Sequence, residues 1–530
     1  MRRACLLTVA LVLGALIAGT AAADRDPGVH ALVGARIVTA PGQVVESGTL
    51  VMRRGIIEAV GADITPPADA RIWDVEGLTL YPGLIESFYP IEIPNPEGAE
   101  PSTVGHDNAL VQPERRAAEH VDTSVFKKLH QAGFTSAVLV PKSGLFRGMS
   151  SLVNLGDGPV GSQILRDEVA HNGQFALDSD GGYPSSLMGA IALFRQTLYD
   201  ARWHRAAHRA FEKNPRQARP ELNTAWQALE GVAAGEERIV LQSDNVNDAE
   251  RLIRLAEAFE LDAVLVGSGK EYRHAERLVT GEKTWILPAK YPDTPKVDAE
   301  HPEKADLEAL RHWDAAPGNI SALLDAGAEV ALTSLGHADP KQLHKHLARS
   351  VAEGLDADRA LAALTTVPAA LWGIADRAGT LEKGKMANLV VVDGELFVES
   401  PKLTALWIDG RRLELQELKP PTVDPIGTWD LIIDAGQGGQ IPVSVKLTGS
   451  VDDMSGTVSA LGGSLPLTEA VVSDDTVRLA MDSSAIGMPG TITFNLTIEG
   501  DSCSGDGTSP QGPFEVSGTR TAGPAPEVLQ

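Results

Sequence analysis

Hydrophobic and polar positions change their spacing twice along this chain, and the changes divide it. From Ala31 to about Tyr81, apolar and polar residues alternate in short runs between Gly and Pro, as in Ala35-Arg36-Ile37-Val38-Thr39, Thr49-Leu50-Val51-Met52 and Ile56-Ile57-Glu58-Ala59-Val60. A period of two over a few residues predicts half-buried strands. The same texture returns in Asn388-Leu389-Val390-Val391-Val392-Asp393-Gly394 and Leu406-Trp407-Ile408-Asp409-Gly410. Strands on both sides of a long intervening segment predict one small composite β-sandwich, built from residues 24–81 and 379–417.

Between them, residues 82–378 alternate apolar runs with helical periodicity. Ala137-Val138-Leu139-Val140, Arg238-Ile239-Val240-Leu241, Ala263-Val264-Leu265-Val266, Thr284-Trp285-Ile286-Leu287 and Glu329-Val330-Ala331-Leu332 read as buried strands. Ala249, Leu252, Ile253, Leu255 and Ala256 repeat at helical spacing and predict a helix over about Asn247–Phe259. Further helices are expected from about Glu271 and over Ile320–Ala326. Repeated strand–helix units of this length predict an α/β fold, a TIM-type (β/α)8 barrel. An open doubly wound sheet is the alternative, but no Gly-rich phosphate-binding phrase follows any of the strands. The polar helical stretch from Leu187 to Ala234 is expected to cap the barrel.

Pro420, Pro421 and Pro425 mark a linker. Beyond it, residues 427–521 are rich in Gly, Ser, Thr and Val, with alternation in Pro442-Val443-Ser444-Val445-Lys446-Leu447 and Thr491-Ile492-Thr493-Phe494-Asn495-Leu496-Thr497. They predict a C-terminal antiparallel β barrel or sandwich, followed by a disordered tail over 522–530.

The start of the chain adds a location. Arg2 and Arg3, the apolar Leu6–Ala18 and the small Ala21-Ala22-Ala23 form a Sec-type signal peptide pattern over 1–23, with a retained N-terminal anchor as the alternative. The apolar run is shorter than the ~20 residues of a membrane span, so a secreted or periplasmic protein with no span in its mature form is expected. Loss of Cys5 with the signal would leave Cys503 alone, which excludes an internal disulfide framework. The formal net charge of −25 repels polyanions, so nucleic acid is not an expected partner.

Several phrases resemble the amidohydrolase superfamily. Tyr81-Pro82-Gly83-Leu84-Ile85-Glu86 resembles the phrase that ends its small sheet and opens the first barrel strand, and Ala132-Gly133-Phe134-Thr135-Ser136-Ala137 resembles the approach to the second. Gly354-Leu355-Asp356 through Ala369-Ala370-Leu371-Trp372-Gly373, then Gly379-Thr380-Leu381-Glu382-Lys383-Gly384-Lys385-Met386-Ala387-Asn388, is similar to its closing segment. The best match is the imidazolonepropionase-like branch, in a secreted bacterial subgroup with a β-rich C-terminal module. The resemblance implies hydrolysis of non-peptide carbon–nitrogen bonds, with zinc or another divalent metal held by His and carboxylate side chains at strand ends.

Those ligands are missing. The His-x-His of the first strand falls on Phe88 and Pro90, the fifth-strand His on Gln242, the sixth-strand His near Gly267 and the eighth-strand Asp on Leu335. No cofactor is therefore expected. Glu86, His337 and Asp339 are the candidates for a rebuilt catalytic site, and Glu86, Gln242, Asp244, Ser334 and His337 are expected to line a ligand pocket. The alternative for His337 and Asp339 is an ordinary loop before a helix. His204 and His208, four apart, read as a solvated helix face, while His344 and His346 point in different directions on a helix. Ser150 and Ser151 lack the second Gly of a nucleophile elbow. Three functions stay open. The first is a non-catalytic relative that binds a small-molecule ligand or an intact amidohydrolase partner. The second is an active hydrolase with a rebuilt site, and the third is ligand or surface binding by the C-terminal module.

Overall fold

The computed structural model describes residues 28–94, 105–178, 181–281, 283–295, 305–415, 421–434, 440–451, 453–460, 463–482, 491–509 and 512–523. The signal pattern over 1–23, Pro420 and the end of the tail lie outside the described residues. Two compact units divide at Leu415 and Gln416.

In the first unit, one sheet takes strands from both ends of the segment. Val29–Ala40 pairs with Gln43–Arg53, which pairs with Ile56–Gly61. On its other side Val29–Ala40 meets Thr79–Pro82, then Leu389–Asp393, Lys402–Ile408 and Arg411–Glu414 follow in turn. The alternation works as predicted: Leu32, Ile37, Leu50, Leu80, Leu389 and Trp407 all bury into one cluster.

The barrel strands are Leu84–Ile91, Phe134–Pro141, Phe146–Asn154 (broken at Ser150), His171–Gln174, Arg238–Gln242, Asp262–Val266, Thr284–Pro288 and Glu329–Thr333. The third departs from the repeat. No helix separates it from the second strand, and it runs antiparallel to its neighbours, pairing Ser151–Asn154 with the second strand and Phe146–Met149 with the fourth. The remaining paired neighbours are parallel. Inward-facing Ile85, Phe88, Val138, Val140, Val240, Val264, Val266, Ile286 and Ala331 fill the interior. Outward-facing Phe134, Leu139, Ile239, Leu241, Trp285 and Leu332 join the larger core beneath the helices. The barrel is thus a packed core, as its closed geometry requires.

The helix Leu187–Lys213 does not cap the mouth. Ala190, Leu193, Phe194, Leu198 and Ala201 form a buried stripe on it, and the Phe194 ring lies 4.2 Å from that of Phe146, an outward residue of the third strand. It is a wall helix. Its polar average conceals a stripe at three- and four-residue spacing, which is what a barrel wall needs. Among the described residues no helix is long and apolar enough to cross a membrane.

The second unit is a nine-stranded antiparallel sheet, from Gly427–Asp434 to Gly512–Ala522. The sheet curls, and its edge strands Gly463–Pro466 and Glu469–Ser473 are consecutive in the chain. Trp429, Val445, Leu479, Phe494 and Val516 meet inside it.

Candidate functional site

In a barrel of this kind, chemistry belongs at the C-terminal ends of the strands. The first strand brings Glu86, Phe88 and Pro90 there, the fifth ends on Gln242, Gly267 directly follows the sixth, and Leu335 stands two residues past the eighth.

Glu86 is fully buried. Its Oε1 accepts from the Phe88 amide at 3.0 Å and its Oε2 from the Ser334 amide at 2.8 Å. Burial raises its pKa above the usual carboxylate range, against those bonds. Phe88 is 1 % exposed and packs with Val138, Val140 and Val266, with Leu335 against the same cluster. At Gly267, an added Cβ would lie 2.6 Å from Leu287 Cδ2 and 2.9 Å from Glu271 Cδ, so a side chain where the resemblance would place a His requires Leu287 and Glu271 to move. The Glu271 carboxylate fills this space and is itself bonded by the Ser268 hydroxyl, the Gly269 amide and the Asn319 amide group.

The third strand supplies a residue that the motif reading missed. Arg147 is the bulged residue between Phe146 and Gly148, which pair with Gly173 and Asn172, and it is 3 % exposed. Its Nη1 donates to Gln242 Oε1 at 2.8 Å, and its Nε has no partner among the described residues. Burial lowers its pKa to about 10, partly opposed by attraction to Asp244. Gln242 is half-buried and Asp244 exposed, so this guanidinium lies just beneath the barrel's lip. One Arg within a short apolar run is a weak sequence signal.

These residues do not suit a metal ion. Phe88, Pro90, Gly267 and Leu335 offer no side-chain donor, Gln242 is committed to a cation, and that cation repels another. Among the described residues no group of three or more His, Cys, Asp or Glu is arranged to hold a metal, whereas a catalytic zinc takes three protein ligands.

Of the three candidates for a rebuilt site, Asp339 acts on His337 only through electrostatic attraction. His337 Nε2 meets the Ala289 carbonyl at 2.9 Å, and its ring lies 4.8 Å from that of His346. Burial lowers the pKa of His337, and lowers that of His346 to about 4. Asp339 accepts from the Lys341 amide at 3.0 Å, a turn leading into the helix Gln342–Ala352. No hydrogen bond joins Glu86, His337 and Asp339 among the described residues. Ser334 is buried with its amide on Glu86.

The other candidates are structural. His204 is buried rather than solvated, with Nδ1 2.6 Å from Glu230 Oε1. His344 is buried on the Ala132 carbonyl. Ser150 and Ser151 donate to the carbonyls of Ala170 and Asp167. Burial pushes the Cys503 thiol up to about 11.

Residues 319–416 match the family model described as Amidohydrolase family. No curated protein matches the chain. Among solved structures, an amidohydrolase from Thermotoga maritima MSB8 is 21 % identical, with a TM-score of 0.60 over 73 % of this chain and 100 % of its own. A β-aspartyl dipeptidase from Fervidobacterium islandicum-AW-1 is 13 % identical, with a TM-score of 0.41 over 73 % of this chain and 97 % of its own. The barrel and its composite sheet have the amidohydrolase fold, and the segment that closes them carries the sequence of the Amidohydrolase family.

Proposed function

We propose that this protein is a non-catalytic amidohydrolase relative that binds a small ligand at its barrel mouth. The observation carrying this reading is Arg147, a buried guanidinium with a free Nε donor, bonded to Gln242 where the resemblance calls for a metal ligand. A buried unsatisfied donor costs about 1–3 kcal/mol. An acceptor oxygen on a ligand would remove that cost, and the half-buried Gln242 and exposed Asp244 are the neighbours of Arg147 on the solvent side. The signal-like start, Arg2 to Ala23, supports action outside the cytoplasm.

The test is the metal content and activity of the whole chain, purified from medium supplemented with zinc, manganese or iron. The expected result is far below one ion per chain, with no hydrolysis of cyclic amides or dipeptides. About one ion per chain would overturn the reading. So would chelator-resistant hydrolysis that disappears in His337→Ala, which would assign catalysis to the rebuilt site.

A further inference from the structure

A concentration of positive charge lies around a cavity at the other end of the barrel. A cavity of about 630 Å³ opens there between the barrel's N-terminal loop Gly156–Gln163 and two hairpin turns of the composite sheet. Arg54, Arg377, Arg411, Asp157 and Asp409 all line it. Arg411 is committed to Asp157 at 3.0 Å. The Arg377 guanidinium meets the Met386 sulfur at 3.8 Å and is attracted by the Asp409 carboxylate, and Arg54 has no side-chain partner among the described residues. In a chain of net charge −25, two such arginines at one cavity are out of keeping with the general surface.

The backbone sharpens the point. Arg54-Gly55 and Asp409-Gly410 are two-residue loops closing the pairs Arg53 with Ile56 and Ile408 with Arg411. All four residues have positive φ, 49° and 83° in the first loop, 50° and 70° in the second. Turns of this kind favour Asn-Gly or Asp-Gly. Asp409 obeys that preference and Arg54 does not, at a cost of about 1 kcal/mol. The turn alone would select Asn at position 54, so the guanidinium has another use.

The cavity's acceptor is held in place. Asn388 Nδ2 donates to Asn154 Oδ1 at 2.8 Å, Asn154 Nδ2 to Asp409 Oδ2 at 2.7 Å, and the Asp409 amide to Asn388 Oδ1 at 2.9 Å. Asn154 and Asn388 are buried, so this closed ring fixes the Asp409 carboxylate without occupying Oδ1. Rigid placement of a polar group by buried partners is how a binding site is preorganised.

We propose that this cavity binds a small carboxylate that carries a hydrogen-bond donor, of the hydroxy-acid or amino-acid class. Arg54 and Arg377 take the carboxylate, and Asp409 accepts from the hydroxyl or ammonium group. Three arginines against two aspartates leave one net positive charge, which suits a ligand of net negative charge.

The whole chain is titrated calorimetrically with L-glutamate, L-malate and orthophosphate. Glutamate or malate should bind once per chain, and Arg54→Asn with Arg377→Gln should weaken that binding about tenfold or more. Asp409→Asn should weaken glutamate and malate as well. Arg359→Gln, which removes an exposed arginine outside the cavity, should leave binding as it was. Because Arg54→Asn suits its turn better, the double variant should unfold no earlier than the native chain, so lost binding is not lost folding. The proposal fails if neither carboxylate binds, if only orthophosphate binds, if the double variant binds like the native chain, or if Arg359→Gln weakens binding equally.

Discussion

Replacing Arg147 with Met should leave the protein at least as stable as it is now. Arg147 is charged in both folded and unfolded chains at pH 7, and a folded pKa lowered from 12.5 to about 10 corresponds to about 3 kcal/mol opposing folding. Against this stands the bond to Gln242 Oε1, worth about 1.5–3 kcal/mol for a charged donor. Gln242 is half-buried, so water can replace the lost donor. Met is unbranched and can follow the path of the Arg stem, and exchanging a buried charge for an apolar group of similar size is often neutral or stabilising. The net expectation is a change between about zero and +2 kcal/mol. Urea unfolding followed by tryptophan fluorescence would measure it, since Trp285 and Trp372 are buried in the barrel. A loss greater than about 2 kcal/mol would refute the reasoning, because Arg147 would then be a structural brace. An unchanged or raised stability leaves function as the reason this site keeps a costly cation.

Acid should destabilise the barrel through His344, which is fully buried with a pKa lowered to about 4 by desolvation. The unfolded His takes up a proton near pH 6.5 and the folded one only near 4, so stability falls as pH drops between those values, by about 2 kcal/mol at pH 5. His344→Gln can keep a donor to the Ala132 carbonyl, and its melting temperature should fall less between pH 7.5 and 5; an equal fall would exclude His344 as the source. At Glu86, a change to Leu leaves the amides of Phe88 and Ser334 both unpaired, at about 1–3 kcal/mol each. Glu86→Gln retains one acceptor and should cost about half as much, and equal losses in the two variants would contradict this.

Much of the framework was legible because periodicity records burial directly. The stretch Ala249–Ala256 showed its helix through apolar spacing, found as Val246–Phe259, and the fifth to eighth barrel strands stood within a residue of their predicted runs. The third strand was not legible, because its direction depends on what lies beside it. Gly148 must stay bare, since an added Cβ would be 2.5 Å from the Arg115 carbonyl, and that loop is remote in sequence. Arg147 was missed for the same reason: a buried charge is visible only once the partner strands are known. The losses at Phe88, Pro90, Gln242 and Leu335 could be read from residue types alone, whereas the crowding of Gly267 by Leu287 and Glu271 could not.

Glu86 helps to close the barrel between its first and eighth strands. The first and eighth strands belong to different hydrogen-bonded sheets, so their seam relies on side chains. Thr333 Oγ1 donates to the Phe88 carbonyl at 2.9 Å. Glu86 accepts from Phe88 on its own strand and from Ser334 beyond the eighth. A metal bound by first- and eighth-strand ligands would tie the same two strands together. Here a carboxylate and a threonine hydroxyl make that connection, and both of them are buried. A general base must reach its substrate's proton, but each oxygen of Glu86 already accepts a backbone amide inside the core. The feature that made Glu86 a candidate for chemistry, an acid at the end of the first strand, thus also joins the first strand to the residue that follows the eighth. Arg147 then stands apart from that seam, a buried cation on the third strand bonded to Gln242 at the end of the fifth.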